Sequence, residues 1–347
     1  MKTKTVKIGN ITIGGGSRIA VQSMTNIPAH NTAAVTEQIN RLAEAGCDIV
    51  RFAVPDRETA ENVDKIVGAV SVPLVADIHF DYRLALMCIE HGISKIRINP
   101  GNIGGEDRAA AVAKAAKAKG IPIRIGVNGG SLEKGLLEKC GENLAMAMVE
   151  SAKRHIEILN RYDFDDIVLS MKSSDVRTTI AAYRLAHESF NYPLHLGVTE
   201  AGTVKSGIVK SAIGIGSLLA DGIGDTIRVS LTGDPVKEVE AARLILRALD
   251  MEPDSIQVVS CPTCGRTKID LISIANRVTE ETEKLKGKLK VAVMGCVVNG
   301  PGEAKDADIG IAGGDGCAVL FKKGEIIKKL PENEIVDALM DEIRRMI

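Results

Sequence analysis

The chain has 347 residues, of which 45% are hydrophobic and 26% charged, with a formal net charge of -1. That length favours one large domain plus a smaller one, and a near-neutral balance without long runs of one sign gives no global field to recruit nucleic acid or an anionic membrane. The N-terminus, Met1-Lys2-Thr3-Lys4-Thr5, lacks the apolar core of a secretion signal and no later stretch is long enough to span a bilayer, so a cytoplasmic protein is expected.

The seven cysteines then do not form a disulfide framework. Cys47, Cys88 and Cys140 read as buried small hydrophobes, and Cys317 as an incidental or structural thiol.

Residues 6–13 alternate around Gly9-Asn10, the signal of a two-residue hairpin. Eight short β-rich runs follow, at 19–25, 48–54, 73–80, 95–100, 122–128, 167–173, 193–200 and 226–232. Amphipathic helical stretches such as 35–45, 106–119, 143–159 and 236–249 separate them. Eight alternating units predict a (β/α)8 TIM-type barrel, with a doubly wound sheet as the other option. Residues 1–250 are assigned to barrel and hairpin, and 251–347 to a small α/β domain that follows the short polar break Leu249-Asp250-Met251-Glu252-Pro253-Asp254.

One face of these runs is polar. Arg97 and Asn99 alternate with Ile96 and Ile98; Arg124, Gly126 and Asn128 alternate with Ile123, Ile125 and Val127. Ser170 and Lys172, then His195, Gly197 and Thr199, then Arg228, Ser230 and Thr232 continue the pattern. Strand side chains alternate by face, so this barrel is predicted to be lined by cations, amides and hydroxyls instead of branched apolar residues. A purely structural account needs acids to match Arg51, Arg97, Arg124 and Lys172, and Asp77, Glu200 and Asp225 are the candidates. The functional account has the cations converge on an anionic substrate, a diphosphate or two phosphates. Glycine-rich turns at 99–105 and 126–131 bring backbone N–H groups to the same rim, where Asp77, His79, Thr199 and Glu200 add polar groups.

The last hundred or so residues read as strands at 256–261, 291–296 and 309–312, helices at 269–283 and 332–347, and a hairpin at 316–330. Cys261-Pro262-Thr263-Cys264-Gly265 and Gly295-Cys296 follow strand ends. A Cys-x-x-Cys pair suits structural zinc, but zinc ribbons normally close with a second such pair, and here only Cys296 and a distant Cys317 remain. Three thiolates with one missing or oxygen ligand fit an iron–sulfur cluster better. Glu303, after Asn299-Gly300-Pro301-Gly302, is either the fourth ligand or a solvated loop carboxylate.

In order along the chain, Val21-Gln22-Ser23-Met24-Thr25-Asn26, Arg97-Ile98-Asn99-Pro100-Gly101-Asn102, Arg124-Ile125-Gly126-Val127-Asn128, Thr199-Glu200-Ala201-Gly202, Asp221-Gly222-Ile223-Gly224-Asp225-Thr226, Cys-Pro-Thr-Cys and Asn-Gly-Pro-Gly-Glu resemble the motifs of bacterial 4-hydroxy-3-methylbut-2-enyl diphosphate synthases of the methylerythritol phosphate route to isoprenoids. The resemblance covers nearly the whole chain, without the inserted domain of plant-type members. It implies a [4Fe–4S] cluster on Cys261, Cys264, Cys296 and Glu303, with Glu303 yielding to substrate. It also implies reductive ring opening and dehydroxylation of 2-C-methyl-D-erythritol 2,4-cyclodiphosphate, with electrons from flavodoxin or ferredoxin. On this likeness Arg51, Arg97, Arg124 and Lys172 grip the diphosphate; Asp77, His79, Asn128, Thr199 and Glu200 line the pocket, and Glu200 is the candidate proton donor, a role that requires a buried carboxyl. The family usually continues after Asn26 with threonines and an aspartate, where this chain has Ile27-Pro28-Ala29-His30-Asn31, so that loop receives no role.

The competing reading is a non-redox barrel aldolase or lyase acting on a phosphorylated small molecule, with a structural zinc domain. Independently of family, the last barrel helix should return to the N-terminal face, and a linker of about six residues spans at most ~20 Å. A head-to-tail homodimer with active sites shared between subunits is therefore expected.

Overall fold

The computed structural model describes residues 2–99, 103–297 and 306–347. The chain divides into two compact units, Met1–Leu249 and Asp250–Ile347.

In the first unit β1 (Val6–Ile8) and β2 (Ile11–Ile13) form the antiparallel hairpin, turning through Gly9 at φ 56°. Then come β3 (Ala20–Met24), β4 (Ile49–Ala53), β5 (Leu74–Asp77), β6 (Lys95–Ile98), β7 (Ile123–Asn128), β8 (Ile167–Lys172), β9 (His195–Leu196) and β10 (Thr226–Ile227). Neighbours from β3 to β8 pair in parallel in chain order, β10 pairs with β9, and β10 returns to β3. A bridge between Leu169 and Leu194 closes the circle, giving the (β/α)8 barrel that the alternation predicts.

The outward faces, Ile96, Ile98, Ile123, Ile125, Leu169, Met171, Leu196 and Ile227 among them, are buried. At the base, hairpin residues Val6, Ile8 and Ile13 pack with Ala20, Ile49, Val75 and Val168 from the first halves of the strands. The hairpin is thus an apolar plug, and the interior becomes polar above it.

The last two barrel ladders are much shorter than the runs 193–200 and 226–232, because side chains take the backbone groups that pairing would have used. The fully buried Tyr183 places its hydroxyl between β8 and β9, accepting from Met171 N at 3.1 Å and donating to His195 O. Glu238 accepts the Leu231 N–H at 3.0 Å beyond β10. The run 73–80 also pairs only to Asp77, leaving His79 and Phe80 on the rim.

In the second unit β11 (Ile256–Ser260), β12 (Leu289–Met294) and β13 (Ile309–Gly314) are parallel, and β14 (Cys317–Lys322) and β15 (Glu325–Pro331) continue the sheet as an antiparallel hairpin. The helices Leu271–Thr282 and Ile335–Met346 share its core through Ile274, Val278, Ile335, Leu339 and Ile343. Cys47 and Cys88 are buried as expected, whereas Cys140 is only half-buried because it ends a short surface helix, Leu136–Lys139.

Replacing Tyr183 by Phe removes the hydroxyl and leaves a buried N–H and C=O facing each other across the seam. Tyr183→Phe is expected to cost about 1–3 kcal/mol, read as a lower urea midpoint; an unchanged midpoint would show that β8 and β9 re-pair without it.

Candidate active site

Successive inward positions bring the polar residues together at the C-terminal mouth of the barrel. Arg51, Asp77, His79, Arg97, Arg124, Asn128, Ser170, Lys172, Thr199, Arg228 and Ser230 line one cavity of about 150 Å³. Asn128, Lys172 and Thr199 also border an adjoining cleft of about 480 Å³, whose other walls include Gly129, Gly130, Ser131 and Glu200. The Gly129–Ser131 turn therefore sits where an anion approaching Lys172 would meet backbone N–H groups.

Two inward glycines make room for the cations. A Cβ on Gly126 would lie 2.5 Å from Arg97 Nε, and one on Gly197 would lie 2.7 Å from Lys172 Nζ. Both glycines leave clearance for the neighbouring cation.

The charges do not balance. Among the described residues six largely buried cations, Arg51, Lys95, Arg97, Arg124, Lys172 and Arg228, face two buried carboxylates, Asp77 and Glu238. Asp77 sits 3.1 Å from Arg97 Nη1 and 3.7 Å from Arg51 Nε. Burial pushes its carboxyl upward, but Arg51, His79 and Arg97 outweigh that and hold it well below the usual carboxylate range. Arg51 also directs Nε and Nη2 at the Met24 thioether, at 3.2 and 3.0 Å. Its guanidinium is lowered to about 10, chiefly by burial.

Arg124 is buried, and among the described residues none of its three guanidinium nitrogens has a hydrogen-bond partner. Among the described residues Lys172 likewise has no carboxylate within ion-pair distance; its Nζ lies 3.5 Å from His195 Nε2. Burial, and then the neighbouring cations, push Arg124, Lys95 and Lys172 well below their ordinary values.

Of the acids that a purely structural interior would need, only Asp77 pairs with the cations. Asp225 instead turns to the base, where it accepts from Thr3 Oγ1 at 2.7 Å and Leu194 N at 2.8 Å. Glu200 stands exposed on the rim with φ 52°, so the barrel unit does not supply the burial that its proton-donor role calls for. Sequence reasoning missed Lys95 and Glu238. Lys95 starts β6 two residues before Arg97, and the period of two was the available signal. Glu238 reaches in from the helix Pro235–Ala248 to accept from Ser23 Oγ at 2.9 Å and to face Arg228 at 3.4 Å, and no strand periodicity announces it.

In the second unit Cys261 follows β11 and Cys296 follows β12, so adjacent parallel strands deliver both to one end of the sheet. Gly295 N donates to Cys261 Sγ at 3.2 Å, and Thr267 Oγ1 accepts from Cys264 N at 3.2 Å. Cys261 and Cys296 are buried and Cys264 is exposed. The Arg266 guanidinium feels all three thiols and is raised by them, Cys264 most; reciprocally, its backbone N–H and side chain lower the Cys264 thiol. Three thiols around one cation, one already accepting a backbone N–H bond, suit a thiolate-bound cluster. Among the described residues no three His, Cys, Asp or Glu side chains converge as one tetrahedral ion would require. Thiolates of an iron–sulfur cube bind different irons and need no such convergence. Glu303 lies outside the described residues, as does part of the turn after Asn99.

Comparison with known proteins agrees with both halves. Residues 3–243 match the model of the GcpE TIM-barrel domain, and residues 257–345 that of the GcpE protein C-terminal domain. The chain belongs to the GcpE family. A GcpE relative from Ruminiclostridium cellulolyticum is 59% identical over 345 residues, spanning 99% of this chain and 98% of the relative, and is named 4-hydroxy-3-methylbut-2-en-1-yl diphosphate synthase (flavodoxin). A relative from Clostridium acetobutylicum with the same name is 58% identical over 346 residues, with 100% and 99% covered. The GcpE barrel also resembles the dihydropteroate synthase of Stenotrophomonas maltophilia (TM-score 0.53, 13% identity, 72% of this chain and 100% of that one) and that of Xanthomonas albilineans with 7,8-dihydropteroate (TM-score 0.51, 14% identity, 72% and 99%), a likeness of fold alone.

Because Arg124 is a buried cation without a partner, Arg124→Met is expected to stabilise the ligand-free protein by at least about 1 kcal/mol while weakening anion binding by about 2–5 kcal/mol. Urea unfolding and calorimetric titration check the two halves; a destabilised, tight-binding variant would return Arg124 to a structural role.

Proposed function

We propose that this chain is a reductase of the isoprenoid route, opening the ring of 2-C-methyl-D-erythritol 2,4-cyclodiphosphate and removing a hydroxyl to give 4-hydroxy-3-methylbut-2-enyl diphosphate. The observation that carries this reading is the uncompensated positive charge of a cavity shaped by Gly126 and Gly197, in a chain whose named relatives are synthases of that product. Those names favour the reductase over the aldolase or lyase alternative.

Arg51, Arg97, Arg124 and Lys172 bind the diphosphate, and the guanidinium forks fix its orientation. Arg228 and Ser230 join them, since they line the same cavity. Asp77 holds Arg51 and Arg97 in place from behind. Asn128 and Thr199, half-buried at the border of cavity and cleft, orient the sugar-derived carbon chain. His79 stands at the rim 3.7 Å from Asp77 and helps to close the pocket over substrate. Glu200 donates the proton that leaves with the hydroxyl, once substrate or a covering surface has buried it.

Cys261, Cys264, Cys296 and Glu303 would hold a [4Fe–4S] cluster, the thiol set fitting it as described. When bound, such a cluster supplies low-potential electrons one at a time, and flavodoxin or ferredoxin is the donor. Flavodoxin stands in the printed name of the relatives.

The active site is shared across a homodimer, the barrel of one subunit facing the cysteine loops of its partner. Phe80 on the barrel rim is 75% exposed and Val297 beside Cys296 is 54% exposed, so each half-site presents an apolar side chain to cover. Mixing an Arg124→Met chain with a Cys264→Ala chain should restore activity to about a quarter of wild type if subunits exchange at random and sites form across the interface. Absence of any restoration, in mixed dimers verified by mass, would place each site within one chain.

Anaerobic reconstitution with iron and sulfide tests the cofactor directly: about four irons and four sulfides per chain with little zinc are expected, whereas stoichiometric zinc without sulfide would overturn the reading. Glu303→Cys is expected to keep the iron content yet lower turnover about tenfold or more, because thiolate does not yield to substrate as a carboxylate does. Undiminished turnover would remove the exchangeable ligand from the account.

A further inference from the structure

Lys172 is the one lysine that lines the cavity, and the group its ammonium meets inside the barrel is an imidazole. His195 is wholly buried at the start of β9, with Nε2 3.5 Å from Lys172 Nζ and Nδ1 2.7 Å from Thr226 Oγ1 on β10. Its backbone carbonyl accepts from Tyr183, which fixes the strand behind it. Thr226, His195 and Lys172 thus form a chain of hydrogen-bonding groups from the base of the barrel to the cavity wall.

The groups facing Lys172 are Arg124 on β7, Arg51 on β4, Arg228 after β10 and His195, with Glu238 from the helix Pro235–Ala248 as the nearby opposing charge and Glu200 across the adjoining cleft. His195 in turn faces Arg124, Lys172, Lys95 and Arg51. A buried ammonium crowded by guanidinium groups and, among the described residues, lacking a carboxylate partner is costly, which favours the neutral amine. An anion in the cavity reverses that balance, because it supplies the missing counter-charge at the Nζ end of the chain.

We propose that anion binding in this barrel is coupled to uptake of a proton by the Lys172–His195–Thr226 chain, with His195 as the positioning residue. The proton comes from solvent through the cavity mouth, and Lys172 passes from amine to ammonium with no other bond changed. In the loaded state Nζ donates to the anion and to His195 Nε2, while Nδ1–H donates to Thr226 Oγ1. His195 must then stay neutral, and the cations around it, after burial, hold it well below its ordinary value. The sign follows from linkage: the bound state holds one more proton, so affinity rises as pH falls through the range in which free Lys172 is an amine. This coupling deepens the proposed function, since the diphosphate of the substrate is the anion concerned, but it requires only an anion of that size and charge.

The test is calorimetric titration of the whole protein, kept free of reductant, in buffers of different ionisation enthalpy at about pH 8 to 9. Two probes that do not themselves titrate there are used, sulfate and the cyclic diphosphate of methylerythritol. Uptake approaching about one proton per site is expected, and Lys172→Arg, which keeps the charge but has no proton to gain, is expected to bind while losing that uptake. His195→Phe is expected to weaken binding and shift its pH profile, whereas a merely structural role would lower the melting temperature and leave the profile of the folded fraction in place. Binding of either probe without proton uptake, uptake unchanged in Lys172→Arg, or no binding of either probe overturns the proposal. Uptake with sulfate but no binding of the cyclic diphosphate keeps the coupling and overturns the substrate assignment.

Discussion

Positive charge that the protein does not neutralise governs the barrel. Asp77 satisfies Arg51 and Arg97 in part and Glu238 satisfies Arg228, while among the described residues Arg124, Lys95 and Lys172 meet no carboxylate, Lys95 donating to Gln22 Oε1 and Lys172 lying beside His195. A packed interior of branched residues would be more stable, so this arrangement sacrifices stability for a pre-formed anion site. Preorganisation is the return: the guanidinium groups are already aimed when the ligand arrives, and little reorganisation remains.

Several features make that frustration tolerable. The hairpin seals the base with Val6, Ile8 and Ile13, so the charged layer rests on apolar packing. Gly126 and Gly197 leave room beside Arg97 and Lys172, which a Cβ at either position would crowd. The Met24 thioether gives Arg51 an acceptor too weak to compete with phosphate, while the Asp77 carboxylate stands back at 3.7 Å from its Nε. The seam between β8 and β9 gives up ladder bonds to Tyr183, which buttresses His195 from the helix side.

Much of this was legible because strand alternation is a strict period of two. Once eight runs were recognised, the inward positions followed, and of these Arg97, Arg124, Asn128, Ser170, Lys172, Thr199, Arg228 and Ser230 do share one cavity. Depth was harder to read. Periodicity gives the face and not the height, so Lys95, one step below Arg97, went unremarked although it is wholly buried. Helix-borne partners were harder still, and Glu238 came to light only with the tertiary packing. Asp225 misled because its position at the start of a strand puts it at the base, away from the cations that its charge would suit. Glu200 stands on the rim, as its place at a strand end suggests, and its left-handed backbone and exposure to solvent are features that strand alternation does not forecast.

The two units have different relations to their chemistry. The barrel builds its site from strands and the turns that follow them, and Arg51, Arg97 and Arg124 each sit in a strand paired on both sides, which helps to fix these cations against their own repulsion. The second unit puts its thiols on turns beyond β11 and β12, where Cys261 accepts a backbone N–H and Cys264 is open to solvent beside Arg266. Turns adapt to a bound group more readily than strands, and backbone donors temper the charge of thiolates. Under the proposed function, a rigid cationic pocket suits holding a highly charged substrate still, and a more adaptable thiol-bearing edge suits carrying the group that supplies its electrons.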